Sequence, residues 1–94
     1  MTEKFNLAIS YTWQYDQDFV GLIEEIFHSS GLTTFIIREH NIHEVTEKVH
    51  NKKLSFDCYL DRASDADENF EPLAKTLSRR NVRIFNPYKL IAHG

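Results

Sequence analysis

Short apolar stretches alternate along this chain with segments in which apolar residues recur every three or four positions. The apolar stretches span residues 5–10, 32–37, 56–60 and 82–85, and their length and composition predict buried strands. Strands separated by helices need crossover connections, which are right-handed and leave neighbouring strands parallel. The alternation therefore predicts an α/β fold in the order β-α-β-α-β-α-β, with a small open parallel sheet of strand order 2-1-3-4 between two helical layers.

The first helix has sequence features at both of its ends. Asp16 and Asp18 lie where it begins and can accept backbone N–H bonds there. Gly31 is suited to end it, because glycine adopts positive φ at little cost. The predicted inward face consists of Phe19, Leu22, Ile23, Ile26 and Phe27.

Two further helices follow from the same periodicity. The second is thin and exposed and ends near Asn51, and the third begins near residues 69–71 with Asp65 or Asp67 as its cap. Their inward faces are predicted to be Ile42, Val45 and Val49 in the second helix, and Phe70, Leu73, Ala74 and Leu77 in the third. Asn86 and Pro87 begin one more helix, over residues 88–92, and the chain stops there. We therefore expect one domain, residues 1–94, excised from the amino terminus of a longer chain.

Composition limits the partners and the compartment. The net charge of −3 argues against a nucleic acid or an anionic membrane, because both attract basic surfaces. A single cysteine, Cys58, cannot form an internal disulfide, and no stretch approaches the roughly 20 apolar residues of a membrane span. The first ten residues are too polar for a signal peptide. These observations predict a protein of the cytoplasm.

Candidate binding residues follow the predicted strands. In an open parallel sheet the ligand crevice lies at the carboxyl ends of the strands, where the strand order reverses, here between the first and third strands. Tyr11 and Trp13 follow the first strand and could stack on a ligand, and Arg62 follows the third and could bind a carboxylate or phosphate through paired N–H bonds. Arg38 flanks them after the second strand. In the alternative reading, Arg62 pairs within a solvated acidic loop that contains Asp61, Asp65 and Asp67.

Other chemistries lack the residues that they require. The turn after the first strand, SYTWQYDQD, has no glycine-rich phosphate cradle, so this domain alone is expected to bind nucleotide poorly or not at all. His40 and His43 lie on a polar segment without a cysteine partner, which favours an exposed surface over a metal site. Cys58 is predicted to be a small core residue rather than a nucleophile. We therefore assign no catalytic residue and no metal ligand to this chain.

The arrangement resembles the amino-terminal pre-ATP-grasp domain of the ATP-grasp ligases, a Rossmann-like α/β domain. The likeness rests on the order FNLAIS, DFVGLIEEIFHSSG and LTTFII, on FDCYLDRAS with Arg62 directly after the third strand, and on FEPLAKTLSRRN followed by VRIFNP. It spans essentially the whole chain, and the segment from LDRAS to the Asn86–Pro87 pair is its most specific part.

The resemblance implies the substrate side of a carboxylate ligase. In that family, downstream ATP-grasp domains hold ATP and Mg²⁺, and a small-molecule or peptide carboxylate is activated as an acyl phosphate before a nucleophile attacks it. Tyr11, Trp13 and Arg62 match the strand-end positions that contact substrate, and Asn86 and Pro87 match the hinge into the catalytic domains. The nucleotide-binding lysine and the metal-binding carboxylates of the family have no counterpart here, so the isolated domain is expected to be inactive. A homodimer is left open.

Two other functional classes share features with this sequence. The segment LAISYTWQYDQDFV looks like the FISYS-x-x-D-x-x-F start of TIR-like interaction modules, which are also parallel α/β domains. A flavodoxin-like or receiver-like regulator would share the fold. Asp61 could imitate the phosphorylated aspartate of a receiver, but Ser10 and Tyr11 occupy the position of its paired acids.

Overall fold

A computed structural model of the chain describes residues 2–85. Within that range the strands are β1 (Glu3–Tyr11), β2 (Thr34–Ile37), β3 (Leu54–Arg62) and β4 (Arg83–Phe85), and the helices are α1 (Gln17–Ser29), α2 (Ile42–His50) and α3 (Glu71–Arg79). Single 3₁₀ turns at Gln14–Asp16 and Glu68–Phe70 lead into α1 and α3. The predicted order of elements is confirmed as far as β4. The predicted hinge at Asn86 and Pro87 and the helix over 88–92 lie outside the described residues.

All strands of the sheet are parallel, and their order is β2-β1-β3-β4, as predicted. The two central strands are longer than the apolar stretches that predict them. Their pairing runs from Glu3 opposite Leu54 to Tyr11 opposite Arg62, so it includes residues such as Lys4 and Arg62 that flank the apolar stretches. This register brings the carboxyl ends of β1 and β3 to the same edge of the sheet.

Helices α2 and α3 cover one face of the sheet. They pack on Ala8 and Tyr59 in a core to which the predicted inward residues of both helices belong. Ile42, Val45 and Val49 of α2 are buried, as are Phe70, Leu73 and Leu77 at and within α3, while Ala74 packs against their edge. The predicted inward faces of α2 and α3 are therefore confirmed, and all three residues of the narrow apolar side of α2 are buried.

Helix α1 covers the other face, where its orientation differs from the prediction. Its contact with the sheet is centred on Val20, with Ile23 and Phe27 beside it. Phe19, Leu22 and Ile26 are exposed, so their predicted inward position is wrong. The apolar surface of α1 is wider than the strip that touches a flat sheet, and the periodicity of the sequence does not show which part of it makes the contact. No other helix of residues 2–85 shares this face.

The helix ends were predicted with mixed success. Gly31 has φ of +77°, and Leu32 N donates to Phe27 O at 2.9 Å, which ends α1 in the left-handed turn that glycine favours. Asp67 accepts from the backbone N–H of Asn69 at 2.9 Å and caps the turn into α3. Asp16, in contrast, caps nothing with its side chain, so the prediction of a helix cap at that residue is wrong. None of the helices within the described residues combines the length and apolar character needed to cross a membrane.

Candidate functional site

The carboxyl edge of the sheet brings the predicted site residues of β1 and β3 together. Tyr11 and Arg62 are register partners at the last positions of their strands, and Ser10 and Asp61 are partners one position earlier. Because side chains alternate between the faces of a sheet, Tyr11 and Arg62 lie on the α1 face, and Ser10 and Asp61 lie on the opposite face. Strands β1 and β3 lie next to each other where the strand order reverses. This is the edge at which parallel α/β domains bind ligands.

Arg62 is held in place by Asp16. Its Nη2 lies 2.9 Å from Asp16 Oδ1, and both side chains are largely withdrawn from solvent. The guanidinium also lies over the Phe19 ring, 4.9 Å from its centroid. The acidic partner that the structure shows therefore comes from the turn before α1, rather than from the loop after β3. The sequence predicted Asp16 as a helix cap and gave no sign that it would pair with Arg62 at the candidate site.

A second arginine lies at the same edge, at the end of β2. The Arg38 guanidinium carbon is 4.1 Å from the centroid of the Tyr11 ring, and Arg38 Nη2 donates to Thr12 O at 3.4 Å. Arg38 Nε donates to Glu39, and the pKa of that carboxyl lies below its usual value, mainly because the Glu39 backbone N–H bonds to it and to a smaller extent through Arg38. Tyr11 is buried, so its ring supports Arg38 instead of standing open to solvent.

Trp13 lies on the turn that follows β1 and is exposed. Its ring meets that of Tyr15 edge to face, with 5.0 Å between the centroids, and Tyr15 is exposed as well. The turn that carries Asp16 thus presents two aromatic rings to solvent beside the charged edge. Of the residues that the sequence singled out for stacking, Trp13 is the one with an accessible ring.

The opposite face of the same edge holds a buried polar network centred on Asp61. Asp61 is 2% exposed, and its Oδ1 accepts from the backbone N–H groups of Ala63 and Ser64 at 3.0 and 2.9 Å. The Ser64 hydroxyl donates to Oδ2. Tyr59 donates to Ser10 at 2.7 Å, and Ser10 donates to Asp61 Oδ1 at 3.3 Å. The assignment of Asp61 to a solvated loop is therefore wrong, because the apolar strand β3 carries this residue into the interior.

The remaining candidates do not converge. His40 and His43 are exposed, and the described residues contain no group of three or more His, Cys, Asp or Glu side chains that could hold a metal ion. Cys58 is half-buried on β3, at the edge of the α1 face. The site at the carboxyl edge is thus built from arginine, carboxylate and aromatic side chains.

Fold and site together define a small open parallel α/β domain with a charged edge at the switch in strand order. Comparisons with protein-family models, curated proteins and solved structures return no match to this chain.

The buried Tyr59 hydroxyl should make stability fall at alkaline pH. Burial, and to a smaller extent the nearby Asp61, raise the pKa of Tyr59 above its usual value, against the opposing effect of the Ser10 hydrogen bond. A pKa raised in the folded state contributes stability that is present below the unfolded pKa of about 10 and is lost as pH rises above it. We expect the free energy of unfolding to fall by up to about 1.4 kcal/mol per pH unit above about pH 10.

Urea unfolding between pH 8 and pH 12 measures this slope. Tyr59→Phe should reduce it, whereas Tyr15→Phe, which changes an exposed tyrosine, should leave it as in the unaltered chain. Equal slopes in the two variants would show that the Tyr59 hydroxyl ionises as freely in the folded domain as in the unfolded one.

Proposed function

We propose that this domain forms the substrate-side wall of an ATP-grasp ligase of the cytoplasm, which activates a carboxylate as an acyl phosphate. The observation that supports it best is the pairing of Tyr11 and Arg62 at the carboxyl ends of β1 and β3, with Asp16 holding Arg62 at 2.9 Å. An arginine oriented in this way is suited to recognise a carboxylate, because its planar guanidinium presents N–H donors in a fixed geometry.

Each side chain at the edge has a separate role in this proposal. Arg62 contacts the carboxylate of the substrate, and Arg38, supported by the Tyr11 ring, adds positive charge on the β2 side. Trp13 packs against the apolar part of the substrate. Holding the two arginines against Asp16 and Tyr11 before substrate arrives reduces the entropy lost on binding.

The remaining chemistry belongs to other domains of the ligase. ATP and Mg²⁺ are held by downstream ATP-grasp domains, which Asn86 and Pro87 connect to this one. The domain contributes substrate contacts and no catalytic group, so residues 1–94 alone are expected to be inactive.

A polypeptide encoded by the same reading frame and extending beyond Gly94 tests the proposal. It should hydrolyse ATP when a carboxylate substrate is present. Arg62→Gln should raise the KM for the carboxylate about 10- to 100-fold, the loss expected for hydrogen bonds to a charged group, with the KM for ATP unchanged. Arg79→Gln, which alters an exposed arginine on α3, is the matched control. Failure to bind ATP, or equal KM values in the two variants, would refute the assignment.

One observation favours the TIR-like alternative. Phe19, Leu22 and Ile26 form an exposed apolar side on α1, which a homotypic interaction module would use for association. Concentration-dependent self-association of residues 1–94 that Leu22→Glu abolishes, or cleavage of NAD by these residues, would support that class, and neither is expected of a ligase wall.

A further inference from the structure

One side of α1 is apolar and exposed, and it is turned toward β3. Its residues lie in a single row along the helix at spacings of three and four positions, and they are Phe19, Leu22 and Ile26. Glu24, on the opposite side of α1, accepts a hydrogen bond from Thr34 of β2 at 2.9 Å. The Phe19 ring, in contrast, contacts the guanidinium of Arg62 on β3. These two contacts fix the rotation of α1, so the exposed row faces the half of the sheet that β3 and β4 form.

That half of the sheet is apolar and incompletely covered on the α1 face. Leu60 of β3 is partly buried there, and Phe85 of β4 is its register partner. Register partners on neighbouring strands share a face, so Phe85 also lies on the α1 face, where it is 41% exposed. Two strands at a spacing of about 4.8 Å span about 10 Å, which is the diameter of one helix. The row on α1 together with Leu60 and Phe85, here called the α1 surface, therefore has room for one helix beside α1.

The charges along the α1 side of this surface are acidic. Helix α1 contains Asp18, Glu24 and Glu25 and neither lysine nor arginine. Asp18 and Glu25 are exposed and lie two helical turns apart, next to the apolar row. Arg83 of β4, the register partner of Cys58, is an exposed cation on the far side of the surface. A helix that lies on the α1 surface therefore meets two carboxylates along the flank that faces α1.

We propose that the α1 surface binds an amphipathic helix of a separate polypeptide, with lysine or arginine on the flank that faces α1. Helices of this kind bind by laying their apolar side on an exposed apolar surface, and the flanking charges select the partner. A second copy of this chain is less well suited. Packing the rows of two α1 helices around a twofold axis would bring Asp18 and Glu25 of both copies to the same side, where like charges repel. The inference does not depend on the ligase assignment, because it rests on α1, β3 and β4.

Binding of two synthetic peptides to residues 1–94 tests the inference. Both peptides are amphipathic helices of about 14 residues with leucine at the apolar positions, and they differ only in having lysine or glutamate at the polar positions. We expect the lysine peptide to bind at least about tenfold more tightly than the glutamate peptide in calorimetry. In backbone NMR, its binding should shift the amide resonances of Leu22, Ile26 and Phe85.

Matched variants locate the binding on the α1 surface. Leu22→Gln should weaken binding of the lysine peptide at least about tenfold, because it removes an apolar contact from the centre of the row. Leu32→Gln, the same change at a leucine that is 40% exposed in the turn before β2, should leave the affinity unchanged. Replacing Asp18 and Glu25 together by lysine should abolish the preference for the lysine peptide.

Three results would overturn the inference. The first is equal affinity for the two peptides, or binding of neither, and this comparison requires no variant. The second is unchanged affinity for the lysine peptide in a folded Leu22→Gln protein, which would place the peptide elsewhere. The third is self-association of residues 1–94 through Leu22, which would show that a second copy covers the α1 surface.

Discussion

Replacing Asp61 with alanine is expected to lower the free energy of unfolding by about 3–5 kcal/mol, a large share of the 5–15 kcal/mol typical of a domain. The carboxylate accepts hydrogen bonds from two backbone N–H groups and from the hydroxyls of Ser10 and Ser64. Alanine would leave the Ala63 N–H and the Ser10 hydroxyl without this acceptor in the buried interior, and the two Ser64 donors without it at a partly buried position. Each unsatisfied donor costs about 1–3 kcal/mol, and the loss of the Ser10 contact also weakens the bond from Tyr59.

Urea unfolding followed by circular dichroism measures the effect, with Asp65→Ala as the matched control. Asp65 lies four residues further along, in the turn after β3, and is exposed, so its replacement should change stability by less than about 0.5 kcal/mol. Asp61→Asn should fall between the two, because it retains one acceptor oxygen but places an amide donor in the network. A loss at Asp61 as small as that at Asp65 would mean that the network is open to water.

The Asp61 network also bears on the candidate site. The Asp61 carboxylate accepts hydrogen bonds from the backbone N–H groups of Ala63 and Ser64, and these bonds fix the backbone immediately after Arg62. Arg62 is therefore anchored through its side chain by Asp16 on one face of the sheet, and through the following backbone by Asp61 on the other. A stable edge of this kind is what a substrate-orienting arginine requires.

The fold was largely predictable because its constraints are local and repetitive. Four apolar stretches separated by helix-forming segments permit few arrangements, since crossover connections are long and right-handed. The inward side of α3 could be read from Phe70, Leu73 and Leu77, because these residues form one narrow stripe. For α1 the same reasoning held only for Ile23 and Phe27, because the apolar surface of that helix is wide enough to contact the sheet in more than one orientation.

The candidate site was predictable only in part. Tyr11 and Arg62 could be placed at one edge because strand ends follow from the order of the elements. The roles of Asp16 and Asp61 were predicted wrongly. The sequence around an aspartate at a helix start or after a strand is the same whether its carboxylate caps a helix, faces solvent or pairs with another side chain inside the protein. Their burial depends on neighbours about 50 positions away in sequence, such as Arg62 for Asp16 and Ser10 for Asp61, and no local pattern contains that information.

Phe70→Ala is expected to cost about 3–5 kcal/mol, the range observed when a buried aromatic side chain is removed from a core. Phe70 is 0% exposed and packs with both helices of the α2 and α3 layer. The cavity that alanine would leave is therefore closed off from solvent. Phe85 provides the matched control, because it is 41% exposed at the end of β4 and its replacement by alanine should cost about 1 kcal/mol. The difference in stability between the two variants is measured as the difference between the urea concentrations at which each is half unfolded. This comparison holds when the free energy of unfolding falls equally steeply with urea in both. Equal losses would mean that Phe85 is covered in solution, which would place a further packing element on the α1 face of the sheet.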